Sequence, residues 1–173
     1  EDQEFITLHP GTSKVERGWH TERFGILCQK LIKEDGKLIV LLGTKKEQEL
    51  LNRIRNFGKP ETIKIIPAIN LRVLTELISK SQMFIGNDSG MMHLASMVGV
   101  PVLGIYGPGS PETTGPYMDP DKQEMVTRNF DCSPCRQKFF KECKPSPLYK
   151  PYCLEDITVK DVHDGVRRLL KRL

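Results

Sequence analysis

In Lys37-Leu38-Ile39-Val40-Leu41-Leu42, the five residues after the lysine are an unbroken apolar run of strand length, the kind that is buried on both faces of a parallel sheet. It points to architectures in which helices cover a sheet from two sides. The flanking sequence agrees. Glu4 to His9 reads as a first strand closed by Pro10-Gly11. Thr21 is placed to cap a helix carrying Phe24, Leu27, Cys28 and Leu31, which ends before Gly36. Glu47 to Phe57 reads as a second helix stopped by Gly58 and Pro60, and Thr62 to Ile66 as a third strand. Asn70 then caps a helix with Leu71, Leu74, Leu77 and Ile78 on its apolar side.

The next stretch is the richest in chemistry. Met83-Phe84-Ile85 is strand-like and runs into Gly86-Asn87-Asp88-Ser89-Gly90, a turn. A short helical pattern follows (Met91, Leu94, Ala95, Val98) and ends at Gly99-Val100-Pro101, before a strand to Tyr106. The turn carries two readings. It is an Asp/Ser/Gly turn in which Asp88 bonds backbone and Ser89 caps the helix, or it presents N–H groups at a helix N-terminus to an anion. His93, one turn further, faces either that pocket or the core. Gly107 to Pro120 is a Gly/Pro-rich loop, Glu124 to Thr127 a late strand. Thr158-Val159-Lys160-Asp161 is a capping box opening a last helix with Val162, Val166, Leu169 and Leu170. Strands alternating with helices predict βαβ units and an α/β fold, a Rossmann-like parallel sheet flanked by helices. In such sheets ligands bind beyond the carboxyl ends of the strands. Four segments are expected there: His9 to Trp19, Gly43 to Glu47, Asn87 to His93 and Gly107 to Gly115.

The 173 residues suit one domain, with a Cys-rich irregular segment at about 130–155 and a C-terminal helix from about 158. No apolar run approaches the ~20 residues of a bilayer span, and Glu1-Asp2-Gln3-Glu4 is no signal peptide, so a soluble cytoplasmic protein is expected. The abrupt opening in a strand-like segment suggests a fragment of a longer protein. The net charge is +4, with much of the excess in Arg167-Arg168-Leu169-Leu170-Lys171-Arg172. That run is a solvated helix face with cations near the C-terminal dipole, or an attraction for phosphate-rich ligands or an anionic membrane. No nucleic-acid motif occurs and aromatics are 7%, which gives no stacking platform. G-x-G-x-x-G, a P-loop and a G-x-S-x-G elbow are all absent.

Four blocks in order carry a resemblance. They are His9-Pro10-Gly11-Thr12-Ser13-Lys14 with Arg17-Gly18-Trp19 and Glu22-Arg23-Phe24; Leu41-Leu42-Gly43-Thr44-Lys45-Lys46-Glu47; Asn87 to Leu94; and Ile105-Tyr106-Gly107-Pro108-Gly109-Ser110-Pro111 with Thr114-Gly115-Pro116. The chain thereby resembles the C-terminal half of glycosyltransferase family 9, the ADP-heptose:lipopolysaccharide heptosyltransferases. The Asp-Ser-Gly-x-x-His-Leu-Ala block is its most specific part.

The resemblance implies the C-terminal half of a GT-B glycosyltransferase: two Rossmann-like domains with the donor held in this one. It assigns Thr12, Ser13 and Arg17 to the donor phosphates, with Lys14 as a second cation. It assigns Glu47 to the nucleoside ribose, against the plain reading of an exposed acid at a helix start. Asp88, Ser89, Gly90 and His93 match the block that contacts sugar and diphosphate. Arg17 stands where the family usually has Lys, and its planar fork suits phosphate. His20 replaces a frequent Pro. No catalytic residue is assigned, because the family's general base is an Asp in the other half. The expected function is an ADP-heptose-type donor-binding domain of an inverting transferase of lipopolysaccharide core biosynthesis, inactive alone. The lipopolysaccharide-type acceptor is met through the other half, with peripheral contact at the inner membrane. Transfer needs no metal, since hydroxyls, a helix N-terminus and Arg17 can meet the charge on the departing diphosphate. The alternatives are a non-catalytic sugar-nucleotide-binding or assembly module of the same fold and, less fitting for want of cleft carboxylates, an epimerase.

Cys132-x₂-Cys135-x₇-Cys143-x₉-Cys153 leaves three states open: a structural zinc, one or two disulfides, or free thiols. Similar segments occur in many relatives, which favours a structural role over a catalytic one.

Overall fold

The structure, a computed structural model, describes residues 4–58, 63–67, 70–132 and 135–173. In chain order it runs β1 (Phe5–His9), α1 (Thr21–Lys33), β2 (Leu38–Gly43), α2 (Gln48–Phe57), β3 (Ile63–Pro67), α3 (Leu71–Ser79), β4 (Met83–Asn87), α4 (Gly90–Met97), β5 (Val102–Tyr106), α5 (Pro111–Thr114), β6 (Gln123–Thr127), α6 (Tyr152–Glu155) and α7 (Val159–Arg172). The strands form one sheet in the order β3-β2-β1-β4-β5-β6, every pair parallel. This is the Rossmann-like α/β architecture the alternating pattern predicts.

Period-two side chains divide the core between the two faces. Ile6 and Leu8 of β1, Ile39 and Leu41 of β2, and Met83 and Ile85 of β4 pack with Leu27 and Leu31 of α1, Leu51 and Ile54 of α2, and Val162, Val166 and Leu169 of α7. Val40 and Leu42 of β2, Phe84 of β4, and Val102 and Tyr106 of β5 turn the other way, onto Leu74 and Ile78 of α3 and Met92 and Ala95 of α4. Both faces of β2 are therefore covered, as its unbroken apolar sequence requires.

Boundaries differ in a few places. His20, not Thr21, occupies the N-cap of α1 and gives no side-chain cap. A 3₁₀ turn, Lys45–Glu47, precedes α2, so that helix begins one residue later than its acid suggests. The Gly/Pro-rich loop contains the single turn α5, led by Pro111 at its first position. The Cys-rich segment contains α6. Asn70 caps α3 through a bond from the Val73 N–H at 2.9 Å, and Thr158 and Asp161 form the capping box of α7. The expected stop at Pro60 and the strand residue Thr62 lie outside the described residues, as do Glu1, Asp2 and Gln3.

Chain order reverses between β1 and β4, which lie side by side although two strands separate them in sequence. That is the position where an open α/β sheet leaves a crevice beyond its strand ends.

Candidate functional site

A cleft of about 730 Å³ opens at that position. The loop after β1 lines it with His9, Gly11, Thr12 and Ser13, and the loop after β2 with Gly43, Thr44, Lys46 and Glu47. The start of α4 adds Ser89, Gly90 and His93. Leu71 and Leu74 of α3 and Met91, Leu94 and Met97 of α4 form an apolar wall. Polar groups on one side and thioethers and aliphatics on the other suit a ligand with one charged and one flat apolar part.

Glu47 fulfils its plain reading and also faces the cleft. Its Oε2 accepts from the Thr44 N–H at 2.7 Å and the Thr44 hydroxyl at 2.8 Å, capping the 3₁₀ turn. Its Oε1 lies 3.9 Å from His9 Nε2. A Cβ on Gly11 would run into this carboxylate, so glycine there lets the first loop pass it. Burial lowers the His9 pKa, against the opposing pull of Glu47, and keeps the ring neutral near pH 7. His9 Nδ1 is buried without a partner.

Ser89 sits at the N-cap of α4, but its hydroxyl makes no capping bond; Oγ is buried and unpartnered. A Cβ on Gly90, the first residue of α4, would meet nothing within 4 Å. The first turn of α4 thus leaves room for an anion at the positive end of the helix dipole. His93 lines the cleft and is not part of the core.

Arg17 and Asp88 are brought together but stand beside the cleft. They form an ion pair, with the Asp88 side chain 8% exposed. Gly109 lets the loop after β5 close over this pair, because a Cβ there would strike the Asp88 carboxylate. The Tyr106 hydroxyl donates to the Thr114 carbonyl at 2.8 Å. Burial, reinforced by the negative Asp88, raises its pKa above the ordinary phenol range. Of the four expected loops, three therefore line the cleft, and the fourth covers the Arg17–Asp88 pair. The Thr12 hydroxyl donates to the Lys14 carbonyl at 2.7 Å and accepts from the Lys14 N–H, so it also shapes its own loop.

Asn87 is the residue that motif reading left without a role. Its Oδ1 accepts from the Trp19 N–H at 3.0 Å and its Nδ2 donates to the Pro10 carbonyl at 2.7 Å. One buried side chain thus pins both ends of the loop that carries Thr12, Ser13 and Arg17. Trp19 is fixed in turn by a bond from Nε1 to the Ile157 carbonyl at 2.9 Å and by edge-on packing against Phe24. His9 and Lys46 likewise line the cleft, although the motifs that contain them imply no contact for either.

No two of the five cysteines are joined in a disulfide in the structure. Cys132, Cys135, Cys143 and Cys153 line one small cavity of about 160 Å³. Burial, with smaller contributions from the three neighbouring thiols, pushes Cys153 up to about 12. Four sulfurs suit zinc chemically. Among the described residues, however, no group of three His, Cys, Asp or Glu side chains stands close enough to hold a metal ion. Ser133 and Pro134, between the first two thiols, lie outside the described residues.

The C-terminal basic run is largely neutralised within the fold. Arg167 pairs with Glu34 and Asp35, and Arg168 and Arg172 both pair with Glu124. No helix among the described residues is long and apolar enough to cross a membrane.

A sequence profile of glycosyltransferase family 9 (heptosyltransferase) matches residues 1–144. This chain belongs to glycosyltransferase family 9. It is 30% identical over 173 residues to lipooligosaccharide heptosyltransferase 2 of Campylobacter jejuni, covering 98% of this chain and 52% of that protein. Among solved folds it resembles ADP-heptose lipopolysaccharide heptosyltransferase II of E. coli, with TM-score 0.79 and 24% identity, over 98% of this chain and 47% of that one. It also resembles the E. coli heptosyltransferase WaaC with ADP, with TM-score 0.73 and 18% identity, over 96% and 44%. The family 9 chain thus spans about half the length of the relatives it matches.

Proposed function

We propose that this chain is the donor-binding, C-terminal half of an inverting glycosyltransferase of lipopolysaccharide core biosynthesis, and that its cleft takes an ADP-linked heptose-type sugar. The observation that carries the reading is the convergence of Thr12, Ser13, Glu47, Ser89, Gly90 and His93 on one cleft at the switch point of the sheet. A family relative of the same fold is described with ADP, which supports a nucleoside diphosphate here.

In the reaction, an acceptor hydroxyl oxygen bonds to the anomeric carbon as the bond to the diphosphate oxygen breaks. ADP leaves with the electron pair. The hydroxyl proton goes to a base outside this chain. The chain's own task is to meet the charge that builds on the leaving diphosphate. We assign that task to the open first turn of α4, the unpartnered Ser89 hydroxyl and the Lys46 side chain, all of which line the cleft. Arg17 is already balanced by Asp88, so it acts by shaping the loop or by re-pairing with phosphate. Glu47 presents an oxygen to a ribose hydroxyl, and the Leu71–Met97 wall receives the base. The acceptor, and a peripheral contact with the cytoplasmic face of the inner membrane, complete the proposal.

Calorimetry on this chain tests it. ADP and ADP-heptose bind, UDP-linked sugars bind at least about tenfold more weakly, and Ser89→Ala or Thr12→Ala weakens ADP. A folded chain that binds no nucleotide ends the donor-site reading, and equal affinity for UDP ends the ADP assignment. We further propose that Cys132, Cys135, Cys143 and Cys153, which share one cavity and offer four sulfur donors, are the ligands of a structural zinc ion. Close to one zinc per chain after purification, with four thiols released by a chelator, is the expected result; zinc-free protein of unchanged melting temperature overturns it.

A further inference from the structure

The positive charge of this chain is concentrated away from the helix that advertises it. With the arginines of α7 mostly paired, residues 130–150 carry five basic side chains against two acidic ones, a net +3 of the chain's +4. This segment folds back on the loop after β1. The Lys14 ammonium lies 5.6 Å from the Phe139 ring centre, and Lys150 Nζ donates to the Val15 carbonyl at 2.6 Å. Lys14 and Val15 are thus the point where the two segments meet.

Beside it stands a tight hairpin. Pro145 and Pro151 form an antiparallel bridge, and the Ser146 N–H donates to the Lys150 carbonyl at 2.8 Å. The Ser146 hydroxyl accepts from the Leu148 and Lys150 N–H groups and donates to Glu155. Tyr149 adopts a left-handed φ of 56°, an uncommon conformation for an aromatic residue. The hairpin holds Leu148 and Tyr149 in solvent at 64% and 77% exposure, with Val15 at 75%. Lys138, Lys141 and Lys144 are exposed along the same segment. Among the described residues, the acids facing this region are Glu16, Glu22, Asp131, Glu142 and Glu155; Glu142 engages Lys138 and Glu155 accepts from the Ser146 hydroxyl.

We propose that this face, the Leu148–Tyr149 hairpin with Val15 and the lysines of residues 138–144, docks on an anionic phospholipid surface. An aliphatic and an aromatic side chain fixed at a tip enter the headgroup zone, where tyrosine is favoured. The lysines meet lipid phosphates. A protein partner would need a matching acidic surface, whereas an anionic bilayer supplies one by composition. The inference rests on the reading above in that it locates on this chain the membrane contact proposed there.

Vesicle flotation of this chain tests it, using phosphatidylcholine alone and phosphatidylcholine mixed with phosphatidylglycerol. Binding is expected only to the mixed vesicles and to weaken at high salt. The triple variant K138Q/K141Q/K144Q loses about tenfold or more in partitioning. L148S/Y149S loses several-fold with an unchanged melting temperature, because both side chains are exposed, and R167Q/R168Q matches the parent. No binding to anionic vesicles, binding undiminished in both the triple and the hairpin variants, or a solution dimer that L148S/Y149S dissolves each overturns the proposal. An ADP titration of the same preparation separates the two readings. ADP binding without vesicle binding removes this inference and leaves the donor site standing, and vesicle binding without ADP binding removes the donor site and leaves this inference standing.

Discussion

Asn87 shows what a single residue can settle that a motif cannot. Its amide satisfies one donor and one acceptor 68 and 77 residues away, at Trp19 and Pro10. Asn87→Ala leaves both backbone groups buried and unmatched, at a cost of about 1–3 kcal/mol. Because those groups bound the Thr12–Arg17 loop, the proposed ADP affinity is expected to fall together with melting temperature. Asn87→Asp keeps the acceptor but loses the donor to Pro10, so it recovers only part of each. Calorimetry and thermal melts on the two variants check this, and unchanged ADP affinity in Asn87→Ala would separate the loop from the ligand. Arg17 and Asp88 make a second case. Motif order places both at the ligand, but only the folded chain shows them paired with each other. Arg17→Ala strands a carboxylate that is 8% exposed, and a loss of about 1–3 kcal/mol is expected in denaturant titration. The pairing is invisible in the sequence because 71 residues separate the partners.

At the scale of elements, local chemistry was largely legible. The unbroken apolar run of β2, the Asn70 cap and the Thr158–Asp161 box each follow from a few neighbouring residues. Less legible were α5 and α6, four residues each, which are too short for a hydrophobic period to register. The fate of the α7 arginines was also hidden, since Glu34, Asp35 and Glu124 come from other elements. Thr158→Ala removes the hydroxyl that accepts from the Asp161 N–H and lowers stability by about 1 kcal/mol, seen as a lower denaturant midpoint at unchanged slope. The helix matters to the whole core because Val162, Val166 and Leu169 are fully buried against the sheet. Leu169→Ala is therefore expected to cost about 2–5 kcal/mol.

For the whole molecule, strand–helix alternation was enough to place the cleft, because chain order alone determines which loops share one end of a parallel sheet. It was not enough to say that the fourth loop would cover Arg17–Asp88 instead of the cleft, which depends on the close approach of Gly109 to Asp88. Nor does chain order reveal how the C-terminal third is tied to the rest. Besides the apolar packing of α7, those ties are polar: Glu155 to His20 and Arg23, and Asp35 to His163 and Arg167, while Asp161 and Arg128 pair within that third. Asp161 is held down to about 2, first by Arg128 and then, against desolvation, by Thr158. Asp35 and Glu155 are also lowered, their hydrogen bonds and neighbouring cations outweighing the burial that opposes them. A carboxylate whose folded pKa is depressed stabilises fully above its unfolded value. That contribution is lost as pH falls toward the folded value. His9 and His20 are lowered chiefly by burial, so each favours its neutral form in the fold, and protonation of the unfolded chain begins to erode stability below about 6.5. Melting temperature at constant ionic strength is therefore expected to be flat from neutral pH down to about 6.5. It then declines gently to about 4 and falls steeply toward 2. Asp161→Asn removes the group that titrates lowest, so its curve should lie below the parent at neutral pH and converge with it near pH 2. Parallel curves across the acid range would show that the Asp161–Arg128 tie carries none of the acid sensitivity.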